Sequence, residues 1–217
     1  MSSASVELAT IVSALVGALV AMRRSRRAQR TITKLDALAL RKPIHRAPIA
    51  ILGGLLGALT YRQFSFSLEM FAFGLMIAMC VEQSIIDYTT HRLPRGVSFR
   101  AAIVGGPLLT LAAINHDDNG RIGVMFASFV VTLVFFALLS AFSKGGIGGG
   151  DVRLAPILAI FLGWLGASHV YIGLGSGFIL GGVVAAGMLI TRRASTSTRI
   201  AFGPFLCIGA VIALFVG

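Results

Sequence analysis

The sequence predicts an all-α protein, a polytopic membrane helical bundle of about eight transmembrane helices, and three observations predict it. Hydrophobic residues make up 56% of the 217, charged residues only 12%, and the mean hydropathy is +0.89. A soluble domain places charge at about a quarter of its positions. The apolar residues also form blocks instead of one amphipathic stripe, and the charges gather between the blocks.

A hydrocarbon core of about 30 Å needs roughly 20 helical residues. Apolar stretches fall near 7–22, 47–61, 66–86, 101–115, 122–142, 154–167, 170–190 and 200–216. Several are shorter than a full span, so tilt or burial against neighbours is expected. The first has Glu7 before it and arginines after it, the reverse of a secretory signal peptide, and is expected to stay attached as a first helix. The basic segment 23–46 follows as the longest connection, in which Thr31 to Leu40 has the composition of a short interfacial helix. Gly53-x-x-x-Gly57 and Gly173-x-x-x-Gly177-x-x-x-Gly181 are small-residue spacings that let helices approach closely in lipid. Asn115-His116-Asp117-Asp118-Asn119-Gly120 is a turn between the fourth and fifth stretches. No repeat or low-complexity linker interrupts the chain, so residues 1–217 are expected to form a single membrane domain.

Alternating the eight stretches across a bilayer puts Arg23 to Arg46, Arg92 to Arg100, Lys144 to Arg153 and Arg192 to Arg199 on one side. That side then carries seventeen of the nineteen basic residues, leaving Arg62 and Arg121 opposite. The positive-inside bias makes the crowded side cytoplasmic, with both termini outside, in the inner (plasma) membrane. The net charge of +11 therefore reads as topology. It implies contact between the basic cytoplasmic loop 23–46 and anionic lipid headgroups, and no nucleic acid partner is expected. Cys80 and Cys207 both lie inside apolar runs and are expected to pack, offering neither a Cys-x-x-Cys metal site nor a disulfide framework. His45, His91, His116 and His169 share no metal-ligand spacing, so no metal and no cofactor is expected. Oligomeric state leaves no signal in the sequence.

Acidic residues are scarce, and ionisable groups at membrane depth are costly enough to be functional candidates. Glu7 and Glu69 lie near helix ends, where they are expected to face water. Asp87 closes the third stretch in Ser84-Ile85-Ile86-Asp87-Tyr88, and Asp151 follows the run Gly145-Gly146-Ile147-Gly148-Gly149-Gly150. Both fall at the same cytoplasmic boundary. Adjacent carboxylates share a proton and titrate as a unit; one takes a proton from water while the other hydrogen-bonds a scissile carbonyl, which hydrolyses a peptide without a metal or a covalent intermediate. Gly148, Gly149 and Gly150 are expected to keep the backbone out of a helix and shape a loop able to pair with an extended peptide. A flexible hinge with a capping aspartate fits the same spacing. A membrane serine protease fits poorly, because Leu174-Gly175-Ser176-Gly177 lacks the required leading glycine and His169 falls at the far boundary. The non-enzyme alternative is a small transporter or a pilus or secretion assembly factor, with Glu82, Asp87 and Asp151 lining an intramembrane polar path.

Lys144-Gly145-Gly146-Ile147-Gly148-Gly149-Gly150-Asp151-Val152-Arg153-Leu154 with Phe161-Leu162-Gly163-Trp164 resembles the Gly-x-Gly-Asp signature of the type IV prepilin peptidases. Ile86-Asp87 with Leu93-Pro94 resembles that family's first aspartate block, and Ile200-Ala201-Phe202-Gly203-Pro204-Phe205-Leu206 is similar to its last-helix pattern. The three blocks occur in the family's order over roughly 80–210. The resemblance implies an aspartyl endopeptidase that removes the short basic leader of prepilin or pseudopilin-like precursor peptides on the cytoplasmic side. It implies that Asp87 and Asp151 are catalytic, with Gly148 and Gly150 shaping the second one's loop. Many bacterial members carry paired Cys-x-x-Cys motifs in a large first cytoplasmic loop and also N-methylate the product; segment 23–46 is short and has no cysteine. The basis for zinc and for methylation is thereby removed. Arg95 stands where the family often has Asp or Asn after Leu-Pro.

Overall fold

The computed structural model describes residues 3–35, 46–143, 147–191 and 201–216. Among these residues there are eight helices and no strand: α1 (Ser3–Leu35), α2 (Arg46–Phe64), α3 (Leu68–Thr90), α4 (Arg95–Asn115), α5 (Gly120–Phe142), α6 (Asp151–Leu165), α7 (Ala167–Ile190) and α8 (Gly203–Phe215). By length and composition α1, α3, α4, α5 and α7 can each cross a membrane. The others are shorter, and at 1.5 Å per residue α6 and α8 reach only about 20 Å. The shortness of α6 is tolerated because it is packed inside the bundle. From Leu154 to Trp164, α6 is buried at almost every position, with α3, α4, α5, α7 and α8 around it. The Trp164 indole N–H donates to the Leu109 carbonyl at 3.1 Å, joining the far end of α6 to α4.

The first helix departs from expectation. Instead of ending near residue 22 it runs on to Leu35, so residues 23–35 of the basic segment are helix and not connection. Ala21, Ser25, Ala28 and Ile32, spaced four, three and four apart, are all buried, with Ala28 and Ile32 against Ile85 and Ile86 of α3. Arg23, Arg26, Arg27, Arg30 and Lys34 are exposed. An amphipathic stripe of this width holds a helix together without an apolar circumference. The rest of the segment, 36–45, lies outside the described residues, including the second half of the interfacial helix expected at Thr31 to Leu40. So do the basic residues at 144–146 and 192–200.

Small residues join the helices as expected. Gly17 of α1 lies against the Gly53 carbonyl and the Gly57 Cα of α2, leaving no room for a side chain. Gly173, Gly177 and Gly181 of α7 admit Ala213, Leu206 and the Phe202 ring from α8 and its approach. Lipid supplies little hydrophobic drive for helix association, so such close approach is a principal source of cohesion.

Two acidic residues are paired deep in the structure. Glu82 of α3 is 1% exposed and accepts from Arg24 Nη1 at 2.7 Å. Glu69, expected to face water, is instead buried; His116 Nε2 lies 2.6 Å from its Oε1, and the Ser67 hydroxyl caps the same first turn. The α4–α5 turn folds back onto the start of α3, and a helix-end carboxylate there is covered by its neighbour.

Removing one partner of a buried ion pair strands the other, at a cost of about 3–5 kcal/mol. Arg24→Ala is therefore expected to lower the thermal unfolding midpoint in detergent markedly, while Arg24→Met with Glu82→Leu recovers most of the loss.

Candidate active site

Helix direction gathers the site. α3 ends where α6 and α8 begin, so Asp87 in the last turn of α3, Asp151 at the first residue of α6 and Gly203 at the first residue of α8 share one end of the bundle. Asp87 and Asp151 are 4% and 6% exposed, far below what an unpaired surface carboxylate shows. The Gly203 N–H donates to Asp87 Oδ2 at 3.0 Å in a buried bond. Leading helix amides have no partner within their own helix, and the helix dipole favours negative charge there. α8 thus supplies a donor that Asp87 needs. Pro204 beside Gly203 costs nothing, since its missing N–H lies within the unpaired first turn.

Asp151 occupies the first turn of its own helix. The Gly148 amide faces its carboxylate, and the two aspartates are close enough to repel directly. Asp151 Oδ1 is buried and has no hydrogen-bond partner among the described residues. The site therefore combines one carboxylate anchored by a backbone amide with one that keeps a buried oxygen unpartnered among the described residues.

Gly148, Gly149 and Gly150 lie in a turn ahead of α6. Gly150 has ordinary right-handed helical dihedrals, φ −72° and ψ −44°, and the turn closes by the Asp151 N–H donating to the Gly148 carbonyl at 2.9 Å. What glycine provides is room. A Cβ on Gly150 would lie 2.7 Å from Leu93 Cβ, and one on Gly148 would lie 3.0 Å from Asp151 Oδ2. Gly149 meets nothing within 4 Å.

Leu93 and Gly203 were legible in the sequence only as motif letters. The Leu93 side chain also reaches Gly203, where a Cβ would lie 3.1 Å from Cδ2 and 2.8 Å from Asp87 Oδ2. The turn carrying Leu93 begins at His91, left-handed at φ 50° and ψ 35°, which caps α3. Gln83 Nε2 pins that turn through the Pro94 carbonyl at 3.3 Å and the Ser98 hydroxyl. His91 is exposed. Ser176 donates its hydroxyl to the Gly173 carbonyl within α7 and lies against Gly209, a packing position. Cys80 and Cys207 are both free and buried. Among the described residues no group of three or more His, Cys, Asp or Glu side chains converges.

Fold and site define a multi-pass helical membrane protein with a buried carboxylate pair at one bundle end. Residues 70–191, which include both aspartates, match the model of the type IV leader peptidase family, and the chain belongs to that family. It is 25% identical over 158 residues to the prepilin leader peptidase/N-methyltransferase of Bacillus subtilis strain 168, covering 71% of this chain and 59% of that protein. The protein of the same description from Pseudomonas aeruginosa is 29% identical over 188 residues, 83% of this chain and 60% of that one. A third, from Aeromonas hydrophila, is 33% identical over 144 residues, 66% of this chain and 48% of that one. The chain thus spans about 60% of the length of the first two relatives. No solved structure matches it.

The two neighbouring glycines provide a check on the packing. Overfilling a tight contact costs about 1–3 kcal/mol, so Gly150→Ala is expected to destabilise the purified protein on thermal unfolding. Gly149→Ala, with open space around it, is expected to change stability by less than about 0.5 kcal/mol.

Proposed function

We propose that this chain is an aspartyl endopeptidase that removes the leader peptide of type IV prepilin-like precursors at the cytoplasmic face of the inner membrane. The observation that carries the reading is the meeting of Asp87 and Asp151, brought from α3 and α6 to one buried end of the bundle in a chain of the leader peptidase family. One carboxylate takes a proton from the attacking water and the other donates to the scissile carbonyl oxygen. The tetrahedral intermediate then collapses as a proton passes to the leaving amine, restoring the dyad. The turn at Gly148, Gly149 and Gly150 lets an extended substrate backbone approach closely.

The positive-inside bias of the basic residues supports an orientation with the site toward the cytoplasm and both termini outside. The exposed cations of α1 from Arg23 to Lys34 suit anionic headgroups. The names of the relatives pair peptidase with N-methyltransferase; only the first activity is proposed here, because segment 23–46 carries none of the cysteines of the larger cytoplasmic loop. In the transporter alternative, Glu82 would have to join the two aspartates along one path. It is instead held by Arg24 on the α1 side of α3.

Asp87→Asn and Asp151→Asn are each expected to cut leader processing by at least about a hundredfold, the lower range for losing a positioned acid or base. Membrane insertion should be unchanged. Co-expression with neighbouring candidate precursors, read by mass spectrometry of the mature N-terminus, tests this, and near-normal processing by either variant refutes the assignment. A cysteine placed at Asn119 is expected to react with an impermeant reagent added outside; reaction only after the membrane is opened would reverse the orientation.

A further inference from the structure

We infer that Leu93 is a positioning residue, a spacer that sets the separation of the two aspartate-bearing segments. The inference rests on the peptidase reading of Asp87 and Asp151. A single side chain touches the residue just before Asp151 and the residue whose amide holds Asp87. On one side, a Cβ at Gly150 would lie 2.7, 2.9 and 3.2 Å from Leu93 Cβ, Cδ1 and Cγ. On the other, a Cβ at Gly203 would lie 3.1 and 3.2 Å from its Cδ2 and Cδ1. Both contacts are possible only because positions 150 and 203 carry no side chain. The isobutyl group therefore lies directly against main chain on both sides, where neither surface has a rotamer to yield.

The spacer is itself anchored to α3. His91 turns the chain out of the helix. Gln83 then binds the Pro94 carbonyl and the Ser98 hydroxyl, and Gln83 lies four residues before Asp87, on the same helix face. The turn bearing Leu93 is thus fixed to the helix that bears one aspartate, while its side chain fixes the starts of the helices that carry the other aspartate and the Asp87 donor. Leu93 needs no contact with substrate to matter, because misplacing a reacting group by about 1 Å can cost about a hundredfold in rate.

The experiment uses the full chain, purified in detergent, with a full-length precursor as substrate. Leu93→Ala is expected to lower kcat by about 10- to 100-fold with KM within about twofold, and Leu93→Met, close in volume, is expected to restore most of kcat. A second readout needs no activity. In a Cys80→Ala/Cys207→Ala background, Asp87→Cys with Asp151→Cys is treated with thiol cross-linkers of graded length. One length is expected to dominate while Leu93 is present, and the preference to be lost with Leu93→Ala. Should Leu93→Ala not fold, Leu93→Val is read in the same way. A kcat within about threefold of the parent, a defect confined to KM, or an unchanged cross-linking preference overturns the inference. A parent chain that cleaves no precursor, yet loses its cross-linking preference with Leu93→Ala, overturns the peptidase reading and leaves the spacer standing.

Discussion

The hydrogen bond from the Gly203 amide to Asp87 organises this bundle. It joins residues 116 positions apart and solves the problem of a carboxylate held at the edge of a hydrocarbon phase. Such a group needs donors, and a helix N-terminus supplies unpaired amides and a favourable dipole together. The same logic places Asp151 in the first turn of α6. Both short helices therefore start at the site, and this accounts for their length. α8 delivers an amide to Asp87 and α6 carries Asp151 at its first residue, so each has to reach the site at one end and merely packs at the other.

Delivering backbone to a site requires backbone to come close, and this sets the distribution of small residues. Gly203 approaches Asp87, Gly150 approaches Leu93, and the α7 glycines let α8 lie against α7 along its length. At Gly177 a methyl group would meet the main chain of α8, whereas at Gly150, Gly203 and Gly181 it would meet the side chains of Leu93, Asp87 and Phe202. The constraint is continuous from the α7–α8 contact to the dyad, because Gly177 and Gly181 seat Leu206 and Phe202, the residues flanking the start of α8. The packing of the membrane-embedded helices and the geometry of the carboxylates are thus parts of one arrangement.

Much of this was legible in the sequence. Each apolar block became a helix, with α7 spanning 167–190 where 170–190 was expected and α5 spanning 120–142 where 122–142 was expected. The scarcity of acids singled out Asp87 and Asp151, because in an apolar chain an unexplained carboxylate is conspicuous. What was hidden depended on partners distant in sequence. The extension of α1 to Leu35 follows from a four-three-four stripe that hydropathy averaging erases beneath six cations. The burial of Glu69 follows from His116, 47 residues later. The glycines before Asp151 read as helix breakers because propensity is a local property, whereas the steric constraint at Gly150 comes from Leu93, a residue distant in sequence. Gly203-Pro204 carried a usable signal, since proline at a helix start marks where free amides point; what they point at has no local signature.

The contrast between the two faces of α3 separates structure from chemistry. Glu82 and Asp87 are five residues apart, about 140° around the helix, and both are almost wholly buried. Glu82 is satisfied by a guanidinium at 2.7 Å, the arrangement expected where a charge has only to be tolerated. Among the described residues Asp87 has no ion pair; its buried bond is to a neutral amide, and it faces a second carboxylate whose Oδ1 has no partner among those residues. A bundle that neutralises one buried acid with an arginine has the means to neutralise another. Holding two carboxylates together with an incomplete set of donors is costly. On the α1 face of α3 the electrostatics hold helices together; on the face toward α6 and α8 a carboxylate oxygen is left unpartnered among the described residues.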